Sequence, residues 1–502
     1  MIQKIFQVKI VWLLALVGFA FINQASGKTI YVAKNGDDKN SGTLAQPLAT
    51  PAKALDIANP GDTIYLRVGR YTIDHFLWAD KANLTIASNP GEKAAIVAGI
   101  EENNKTAPSV MIIVANNVTL LNLEVEGGSY YAVKVDIDKE PMSKGVTIRG
   151  CYIHGSGRDC IKTFNADNLL IEDCEIGPSG LRDPSNAEGI DSIGSVGVTI
   201  RNCYVHDAAT TGIYLKGGAR EGIVERNRVE HCRGAGILLG QDTDEEFMRD
   251  KTKYECLNSV ARNNIIADIQ AAGIGTYSGS NIRFENNTVY EAAKQNQAGF
   301  YVVVNSREVP AQKISFKNNI VVVNSHRPVV FLFHLSDQLD SDFNIYFGNR
   351  LFRRESKTLN RLDDWTFPLW KKGLQLDEHS LFADPLLDEE NHYKPRAGSP
   401  AFDSGEKLME VKVDFAGVTR PQGAAYDIGA YEGRSDKTPV RLSAMYEDTQ
   451  EDGATKGISK PQVWAVILGA LSGGALFALG LLLRSKLLQT RNSQPQVVDG
   501  KS

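Results

Sequence analysis

The middle of the chain repeats one short motif at intervals that are mostly in the twenties of residues. Each repeat combines short alternating strand patterns with bends rich in Gly, Asp and Asn, and leaves no room for a helix of 3.6-residue period. Repeats of this length with several strands predict a β-solenoid, not a helix-pair solenoid or a leucine-rich repeat. The motifs are VTLLNLEV (118–125), VTIRGCYI (146–153), LLIEDCEI (169–176), VTIRNCYV (198–205), IVERNRV (223–229), VARNNII (260–266), IRFENNTV (282–289) and ISFKNNIVV (314–322).

Two aligned columns run through these motifs at the bend. With Arg226 as the exception, the first column holds residues that tolerate a left-handed backbone. The second column predicts an inward ladder of Asn amides that hydrogen-bond from coil to coil, with Cys in three earlier coils. The first column is Gly150, Asp173, Asn202, Arg226, Asn263, Asn286 and Asn318, and the second is Cys151, Cys174, Cys203, Asn227, Asn264, Asn287 and Asn319.

The six cysteines show neither zinc-finger nor redox C-x-x-C spacing. Three of them share the inward column, on coils expected ~4.8 Å apart, which would permit a disulfide. The alternative, which we favour, is a set of small buried thiols, because Cys packs well as an apolar residue.

The tandem units resemble the right-handed β-helix repeats of pectate-lyase-like proteins. The segment 30–72 resembles the N-terminal cap of many such exported proteins, with 51–58 expected as a short helix over the first coil. The segments 381–405 and 426–433 resemble a closing segment found before a surface-anchoring tail. The resemblance implies an all-β fold, a single-stranded right-handed parallel β-helix, with a C-terminal transmembrane helix added by the sequence pattern described below.

The resemblance does not extend to a catalytic subgroup. The chain has no counterpart of the paired-aspartate, Gly-His-Gly and Arg-Ile-Lys set of β-helix polygalacturonases. It also lacks the Asp-Pro-His-Asp signature of alginate epimerases and the Asn-Lys-Ser run of chondroitinase-like lyases. Because this fold carries lyases, hydrolases, epimerases and non-catalytic proteins, the fold alone leaves the activity open.

The N-terminus has the pattern of a secretory signal peptide. Lys4 and Lys9 precede the apolar run 10–22, and small residues follow it, which predicts a signal peptide at 1–27. The alternative is an uncleaved anchor, although the apolar run is short for a membrane span.

A second apolar run, 463–483, carries no charge and is long enough to cross a bilayer. Arg484, Lys486 and Arg491 follow it, so the positive-inside rule places 484–502 in the cytoplasm. We therefore predict a single-pass protein of the cell membrane with its β-helix outside the cytoplasm.

The predicted organisation follows from these patterns and from charge. With 55 basic and 60 acidic residues the net charge is -5, so no broad basic field indicates a nucleic-acid partner. The predicted segments are a signal peptide (1–27), a cap (28–60), the β-helix (61–350), a C-terminal segment packing on it (351–433), an acidic linker (434–462), a transmembrane helix (463–483) and a cytoplasmic tail (484–502).

Alignment of the second strand in each repeat places polar residues on one outward face. The residue after each inward Ile or Val reads Lys134, Lys162, Asp191, Tyr214, Leu238 and Gly275 on successive coils, and two residues on stand Lys216 and Tyr277 on their coils. Small residues before the inward positions leave an open shelf, and a groove with polar and aromatic walls suits an extended sugar chain. The predicted substrate-binding residues are Tyr214, Gln241, Asp242, Tyr277, His206 and Arg158.

The resemblance implies β-elimination of a uronic-acid polymer, in which Lys or Arg serves as base and a cation neutralises the carboxylate. Lys162 or Lys216, beside Asp191, could be the base if neighbouring groups lower its pKa. Asp159, Glu188 and Asp191 offer oxygen ligands for Ca²⁺. The alternative is that these residues are solvated charges on the surface of a repeat.

A second polar column stands across a turn from the lysines. It contains His154, His206 and Glu230, with Asp207 and His231 one position later. These residues could hold a metal or act as acid and base, or they could simply stabilise the turns.

The first functional hypothesis is an enzyme, a lyase acting on an acidic polysaccharide. The alternative is a non-catalytic surface protein that binds a glycan or a cell-envelope partner, and a third is a glycoside hydrolase using Glu188 and Asp191. Convergence of Lys162, Lys216 and Asp191 in one cleft would favour the enzyme, whereas their separation in solvent would favour the binding protein.

Overall fold

The computed structural model describes residues 27–101, 107–136, 143–335, 339–349, 351–356 and 361–433. All but the last residue of the predicted signal peptide lies outside these ranges, as do the predicted linker, transmembrane helix and cytoplasmic tail. Within the described ranges, no helix is long and apolar enough to cross a membrane.

The described chain winds through three sheets in turn, and each full coil adds one strand to each sheet in parallel register. Two short helices accompany them, α1 (Pro51–Ile57) and α2 (Phe367–Leu374). Because each strand pairs with its counterpart one coil later, the coils stack as the repeats predict.

Sheet 1 consists of Thr29–Val32, Thr63–Leu66, Thr85–Ser88, Thr119–Leu121, Thr147–Arg149, Leu170–Glu172, Thr199–Arg201, Ile223–Glu225, Cys256–Arg262, Gly279–Glu285, Gln312–Lys317 and Asp340–Asp342, with Ala219–Arg220 joining Cys256–Arg262. Sheet 2 consists of Leu77–Ala79, Ser109–Ile113, Tyr131–Val135, Ile161–Phe164, Ile190–Ile193, Ile213–Lys216, Ile237–Leu239, Ile274–Tyr277, Phe300–Val303, Val330–Leu332, Phe352–Ser356 and, antiparallel at the end, Arg361–Trp365. Sheet 3 consists of Gly69–Ile73, Ala94–Ala98, Leu123–Glu126, Tyr152–His154, Glu175–Ile176, Tyr204–His206, Arg228–Glu230, Ile265–Ala267, Thr288–Tyr290, Ile320–Val323, Ile345–Gly348 and Leu381–Phe382. A two-stranded ribbon joins Leu387–Asp388 to Lys394–Pro395.

The core consists of like residues stacked coil on coil. In sheet 2, Ile161, Ile190 and Ile213 are register partners, and all three are fully buried. Removing one such side chain from water contributes about 1.5–3 kcal/mol. Towards the C-terminal coils aromatic rings replace the aliphatic side chains, and Phe300 stacks on Phe316 with ring centroids 3.8 Å apart.

The predicted asparagine ladder is confirmed. Each side-chain amide donates to the carbonyl oxygen of the next, from Asn227 to Asn264 (3.1 Å), to Asn287 (2.9 Å) and to Asn319 (3.0 Å). The ladder has a further member, because Asn319 donates to Asn344 at 3.2 Å. All five side chains are fully buried, so the ladder satisfies polar groups that water cannot reach.

The prediction of a left-handed backbone in the first column is also confirmed, and it holds even for Arg226. Asp173, Asn202 and Asn263 have φ of 55°, 54° and 53°. Arg226 adopts the same geometry, with φ 55°. The bend is therefore imposed by stacking between its neighbouring coils, because Arg has little intrinsic preference for this conformation.

All six cysteines are buried and free, which confirms the buried-thiol interpretation. Cys151, Cys174 and Cys203 donate to the carbonyls of Arg149, Glu172 and Arg201 at 3.3, 3.2 and 3.2 Å. Burial raises the pKa of the Cys151 and Cys174 thiols well above the usual value, so these groups are protonated core residues.

The parallel stack begins before residue 61 and continues after residue 350. Thr29–Val32 pairs with Thr63–Leu66, so the cap already supplies a strand to sheet 1. Thr50 caps α1 by accepting from the Lys53 N–H at 3.2 Å. At the other end Phe352–Ser356 still pairs in parallel with Val330–Leu332.

The last described residues pack back against the bend column. Asn263, Asn286 and Asn318 donate their side-chain amides to the carbonyls of Val413 (2.9 Å), Asp427 (2.9 Å) and Glu406 (2.8 Å). Arg420 is buried in the same segment, where it donates to Glu432 at 2.8 Å and to Asn263 at 3.0 Å. Residues 406–432 therefore bind three successive coils.

Candidate active site

The outward face of sheet 2 has the register that the sequence predicts. Lys134, Lys162, Asp191 and Tyr214 are successive partners, and Lys216 aligns with Ile193. Since side chains alternate across a strand, residues two apart share this face. Lys162, Asp191 and Lys216 therefore start from neighbouring positions.

Their side chains converge. Lys162 Nζ contacts Asp191 Oδ2 and lies 3.3 Å from Asp159 Oδ2. Lys216 Nζ lies 3.3 Å from the same Asp191 oxygen. Together with Glu188, these residues form a charged cluster (Asp159, Lys162, Glu188, Asp191 and Lys216) in which the lysine side chains keep only 15% and 13% of their surface exposed. The surface-charge alternative predicted solvated groups, and the cluster is nearly buried instead.

The expectation of a lowered lysine pKa is wrong for both candidate bases. Burial alone would lower the pKa of Lys162, but the charges of Asp191 and Asp159 outweigh it and raise this pKa above its usual value. Burial and Asp191 act on Lys216 in the same opposing way, and its pKa is also raised. Both side chains therefore remain ammonium groups at neutral pH.

Lys134 differs from the other two lysines and was left out of the predicted site. Burial and the neighbouring charge of Lys162 lower its pKa. Its Nζ lies 5.7 Å from the ring centre of Tyr131, and Lys162 Nζ lies 5.9 Å from the same ring. The outward alignment includes Lys134, but its lowered pKa depends on burial and on the nearby charge of Lys162, neither of which a sequence shows.

Three carboxylates face one another in the cluster. Asp159, Glu188 and Asp191 each offer an oxygen within 4.8 Å of the others, and all three residues are buried. Burial and the charge of Glu188 raise the pKa of Asp159 well above its usual value. Burial opposes ionisation of Asp191, but Lys162 and Lys216 keep its pKa low.

These carboxylates fit a hard divalent cation. Glu188 Oε2 and Asp191 Oδ1 are buried without a hydrogen-bond partner in the described part of the chain. Unpartnered buried carboxylate oxygens are costly unless a cation binds them, and carboxylate oxygens are the ligands that Ca²⁺ prefers. Asp159, Glu188 and Asp191 are the residues that would hold Ca²⁺, and its binding stays a prediction.

One loop, 178–187, borders the cluster at the start of the sheet-2 strands. Arg158 forms an ion pair with Asp183 of this loop at 2.8 Å. Two guanidinium groups contact the Tyr130 ring, that of Arg158 at 4.9 Å and that of Arg182 at 4.8 Å from the ring centre. Arg158, a predicted substrate-binding residue, therefore lies at the edge of the cluster.

A second loop, 241–255, borders the other ends of the strands. Gln241 Nε2 donates to the Tyr214 hydroxyl at 3.2 Å, so these two predicted residues meet. Asp242 instead accepts from the Ser306 N–H at 2.9 Å. Glu255, which sequence reasoning did not identify, is fully buried and accepts from Arg307 at 2.6 Å, which fixes the end of this loop.

Aromatic side chains continue along sheet 2 beyond the cluster. Tyr277 and Tyr301 have ring centroids 5.7 Å apart, and Tyr301 stacks on Phe331 at 5.2 Å. Phe331 in turn lies 6.5 Å from Phe333. These four half-buried residues form an aromatic strip, of which only Tyr277 was predicted.

His206 does not join the cluster, because its strand belongs to sheet 3. Its ring lies 2.8 Å from Asp207 and 3.5 Å from Glu175, and it stacks on Tyr204. Burial disfavours the charged ring, but these two carboxylates raise its pKa. His154 has a similar place beside Glu124, at 3.3 Å. Placing His206 among the substrate-binding residues is therefore not supported by its position.

Residues 142–321 match the family model described as right handed beta helix region. The fold is a pectate-lyase-like right-handed β-helix. Among solved structures, pectate lyase Pel9A matches this β-helix with a TM-score of 0.52 and 14% identity, over 81% of this chain and 97% of that one. The complex of XylC with xylose matches with a TM-score of 0.50 and 12% identity, over 80% of this chain and 98% of that one.

One curated relative is the uncharacterised protein YwoF of Bacillus subtilis (strain 168). It is 23% identical to this β-helix over 361 residues, which is 67% of this chain and 71% of the relative. At these identities the likeness to solved structures establishes the fold, and the activity must be argued from the site.

Proposed function

We propose that the charged cluster and Lys134 form the active site of an enzyme that cleaves an acidic polysaccharide by β-elimination. The observation that carries the proposal is the convergence of Lys162 and Lys216 on Asp191, beside two further buried carboxylates. A repeat surface gains nothing from burying five ionisable groups together, because each must be desolvated. The names of the fold neighbours, a pectate lyase and a xylose complex, are in keeping with a carbohydrate ligand.

In the proposed reaction Lys134 acts as base. A neutral amine at Lys134 takes the C5 proton of a uronic-acid sugar, the electron pair forms the C4–C5 double bond, and the C4–O bond breaks. The departing oxygen takes a proton from solvent. Lys134 suits this role because its pKa is lowered by burial and by Lys162, which increases the neutral fraction near neutral pH.

The remaining lysines have a different role. Lys162 and Lys216 hold Asp191 and stay protonated, so they keep the cluster in place and present positive charge to the sugar carboxylate. Asp159, Glu188 and Asp191 would hold Ca²⁺. When bound there, Ca²⁺ would neutralise the sugar carboxylate and make the C5 proton more acidic.

The proposal is tested by incubating the full-length protein with pectate, alginate and glycosaminoglycans, with and without Ca²⁺. New C4–C5 double bonds should raise the ultraviolet absorbance with at least one polymer. Lys134→Ala should lower kcat by about 10²–10⁴-fold, which is the usual contribution of a general base, with little change in KM. Lys162→Ala and Lys216→Ala should mainly raise KM.

Lys39→Ala, at an exposed position in the cap, is the matched control and should behave as wild type. Normal turnover in Lys134→Ala, with turnover abolished in one of the other two lysine variants, would move the base to that lysine. Absence of elimination on every polymer, with or without Ca²⁺, would overturn the proposal in favour of a binding protein.

A non-catalytic glycan-binding protein is the second candidate. It is favoured by the ion pairs of Lys162 and Lys216, which keep both lysines charged and unreactive. Direct binding of an acidic polymer without any product would support it.

The proposal includes export and anchoring of this enzyme at the cell membrane, with the β-helix outside. It is supported by the apolar runs 10–22 and 463–483 and by the basic residues beside each.

A further inference from the structure

The outward face of sheet 2 is divided into a charged part and an uncharged part. The strands from Tyr131–Val135 to Ile213–Lys216 carry the cluster and Lys134. The next charged outward residue is Arg353, on the strand Phe352–Ser356, where it pairs with Asp364. On the four described coils between the cluster and that strand, no outward position on this face is charged. Those positions hold Ala235, Leu238 and Gly240, then Ala272, Gly275 and Tyr277, then Ala298, Tyr301 and Val303, and finally Phe331 and Phe333.

The uncharged part presents sugar-binding chemistry. The aromatic strip is a half-buried aromatic surface, and aromatic rings favour contact with the apolar C–H groups of sugar rings. The Tyr277 hydroxyl accepts from Gln297 at 2.9 Å, so neutral hydroxyl and amide groups border the strip. The strand of Tyr301 is four coils beyond that of Asp191, so the strip lies ~19 Å along the same face.

A polymer with a carboxylate on every sugar does not fit this face. The carboxylates that extend beyond the charged cluster would lie over Leu238, Tyr277 and Tyr301, with no cation on those outward positions. Burying a carboxylate against apolar side chains without a cation is costly. The face therefore selects against a homopolymer of uronic acid as much as it selects for an acidic sugar.

We propose, on the basis of the elimination reaction inferred above, that the substrate is a mixed polysaccharide. An acidic sugar binds at the charged cluster, and uncharged sugars of the same chain bind along the aromatic strip. Tyr301 and Phe331 are substrate-binding residues in this arrangement.

The test compares two oligosaccharides of equal length, an oligogalacturonate and a hyaluronan fragment in which acidic and uncharged sugars alternate. Their binding to the full-length protein is measured by calorimetry in a Lys134→Ala background, which prevents turnover. The alternating probe should bind about tenfold more tightly, and Tyr301→Ala should remove about that factor, as expected for one aromatic contact. Tyr65→Ala, a half-buried tyrosine of sheet 1, is the matched control and should change nothing.

A second variant gives a gain of function. Phe333→Lys introduces a cation on the strip, and it should raise the affinity for oligogalacturonate while lowering that for the alternating probe. Circular dichroism checks that each variant remains folded.

Equal or tighter binding of oligogalacturonate, unaffected by Tyr301→Ala, would overturn the mixed-polysaccharide inference and leave the elimination reaction standing. A dimer that dissociates in Tyr301→Ala with unchanged sugar affinity would also overturn it, in favour of a second copy of the chain on the strip. Failure of both probes to bind, together with no elimination on any polymer, would instead overturn the proposed function.

Discussion

Asp191 is a fully buried carboxylate that remains charged because two ammonium groups reach it. Its place could be predicted, because strand alternation and repeat register decide which residues share a face. Its effect on the pKa values of Lys162 and Lys216 could not be predicted. Burial lowers each pKa and ion pairing raises it, and which effect is larger depends on distances that only the structure gives. The same reason explains why Lys134 was seen in the alignment but not chosen as the base.

Asp159 provides a prediction at this scale. Burial and Glu188 raise its pKa in the folded protein, so above the usual carboxyl pKa of about 3.9 the folded state binds more protons than the unfolded state. Stability should therefore fall as pH rises from that value. Without Ca²⁺, Asp159→Asn should raise the free energy of unfolding at pH 7 by about 1–3 kcal/mol, because it removes a buried carboxylate that faces the charge of Glu188.

Urea unfolding between pH 4 and 8 measures this change. Asp183 is the control, because its pKa is shifted in the opposite direction: the hydrogen bond from Ser185 lowers it. Asp183→Asn should therefore not stabilise the protein. Ca²⁺ should stabilise the wild type more than Asp159→Asn. A destabilised Asp159→Asn variant at pH 7 in the absence of Ca²⁺ would show that the carboxylate is satisfied there.

At the scale of the coil, the repeated motif determined most of what was predicted. The two aligned columns predicted the bends and the ladder. They also specified the register, because a one-residue slip would have moved the amides of Asn264 and Asn287 away from the core. Asn344 was missed because Phe343 precedes it, whereas Asn precedes Asn264, Asn287 and Asn319 in the neighbouring motifs. The aromatic strip was missed because Tyr301 and Phe331 follow inward residues that are themselves Phe and Val, which obscures the alternation.

The asparagine ladder should contribute measurably to stability. Asn287→Ala removes the acceptor for both the Asn264 side-chain amide and its backbone N–H, at 2.9 and 3.1 Å. The loss of these two buried hydrogen bonds should lower the free energy of unfolding by about 2–4 kcal/mol, although the Asn264 amide keeps its bond to the Val224 carbonyl at 2.8 Å. Urea denaturation measures the loss.

The chain contains a matched control for this variant. Asn281 donates to Asn258 at 2.9 Å in the same coil-to-coil manner, but at an exposed position. Asn281 has a left-handed backbone with φ 57°, so the control is Asn281→Gly, which removes the side chain without strain and should change stability by less than about 0.5 kcal/mol. Similar losses in both variants would mean that burial does not matter to the ladder.

At the scale of the molecule, the sequence predicted a long stack because a solenoid is a sum of similar units. It placed the limits of the stack too narrowly, since Thr29–Val32 and Phe352–Ser356 pair in parallel without matching the repeated motif. The packing of 406–432 on the bend column could not be located, because those contacts join residues as much as 157 positions apart.

Membrane topology gives the prediction at this scale. Protease added to intact cells, or to spheroplasts if an outer wall intervenes, should degrade the β-helix and spare the segment after Arg484. The reason is the uncharged run 463–483 with Arg484 directly after it and Lys486 and Arg491 close behind, against Lys456 and Lys460 together with several acidic residues on its other side. Immunoblotting with an antibody to the last residues measures the protected fragment, and a permeabilised sample is the control. Full-length protein in the soluble cytosol would contradict the topology.

The contacts of residues 406–432 with three coils also bear on the order of assembly. Each coil contacts its neighbours in sequence, so early coils can stack as soon as they emerge during synthesis or export. Asn263, Asn286 and Asn318 find their partners only when residues more than eighty positions further on arrive. A nascent chain halted before residue 406 would therefore hold a stack of coils whose bend amides still face water, and the final segment would complete folding in one late, cooperative step.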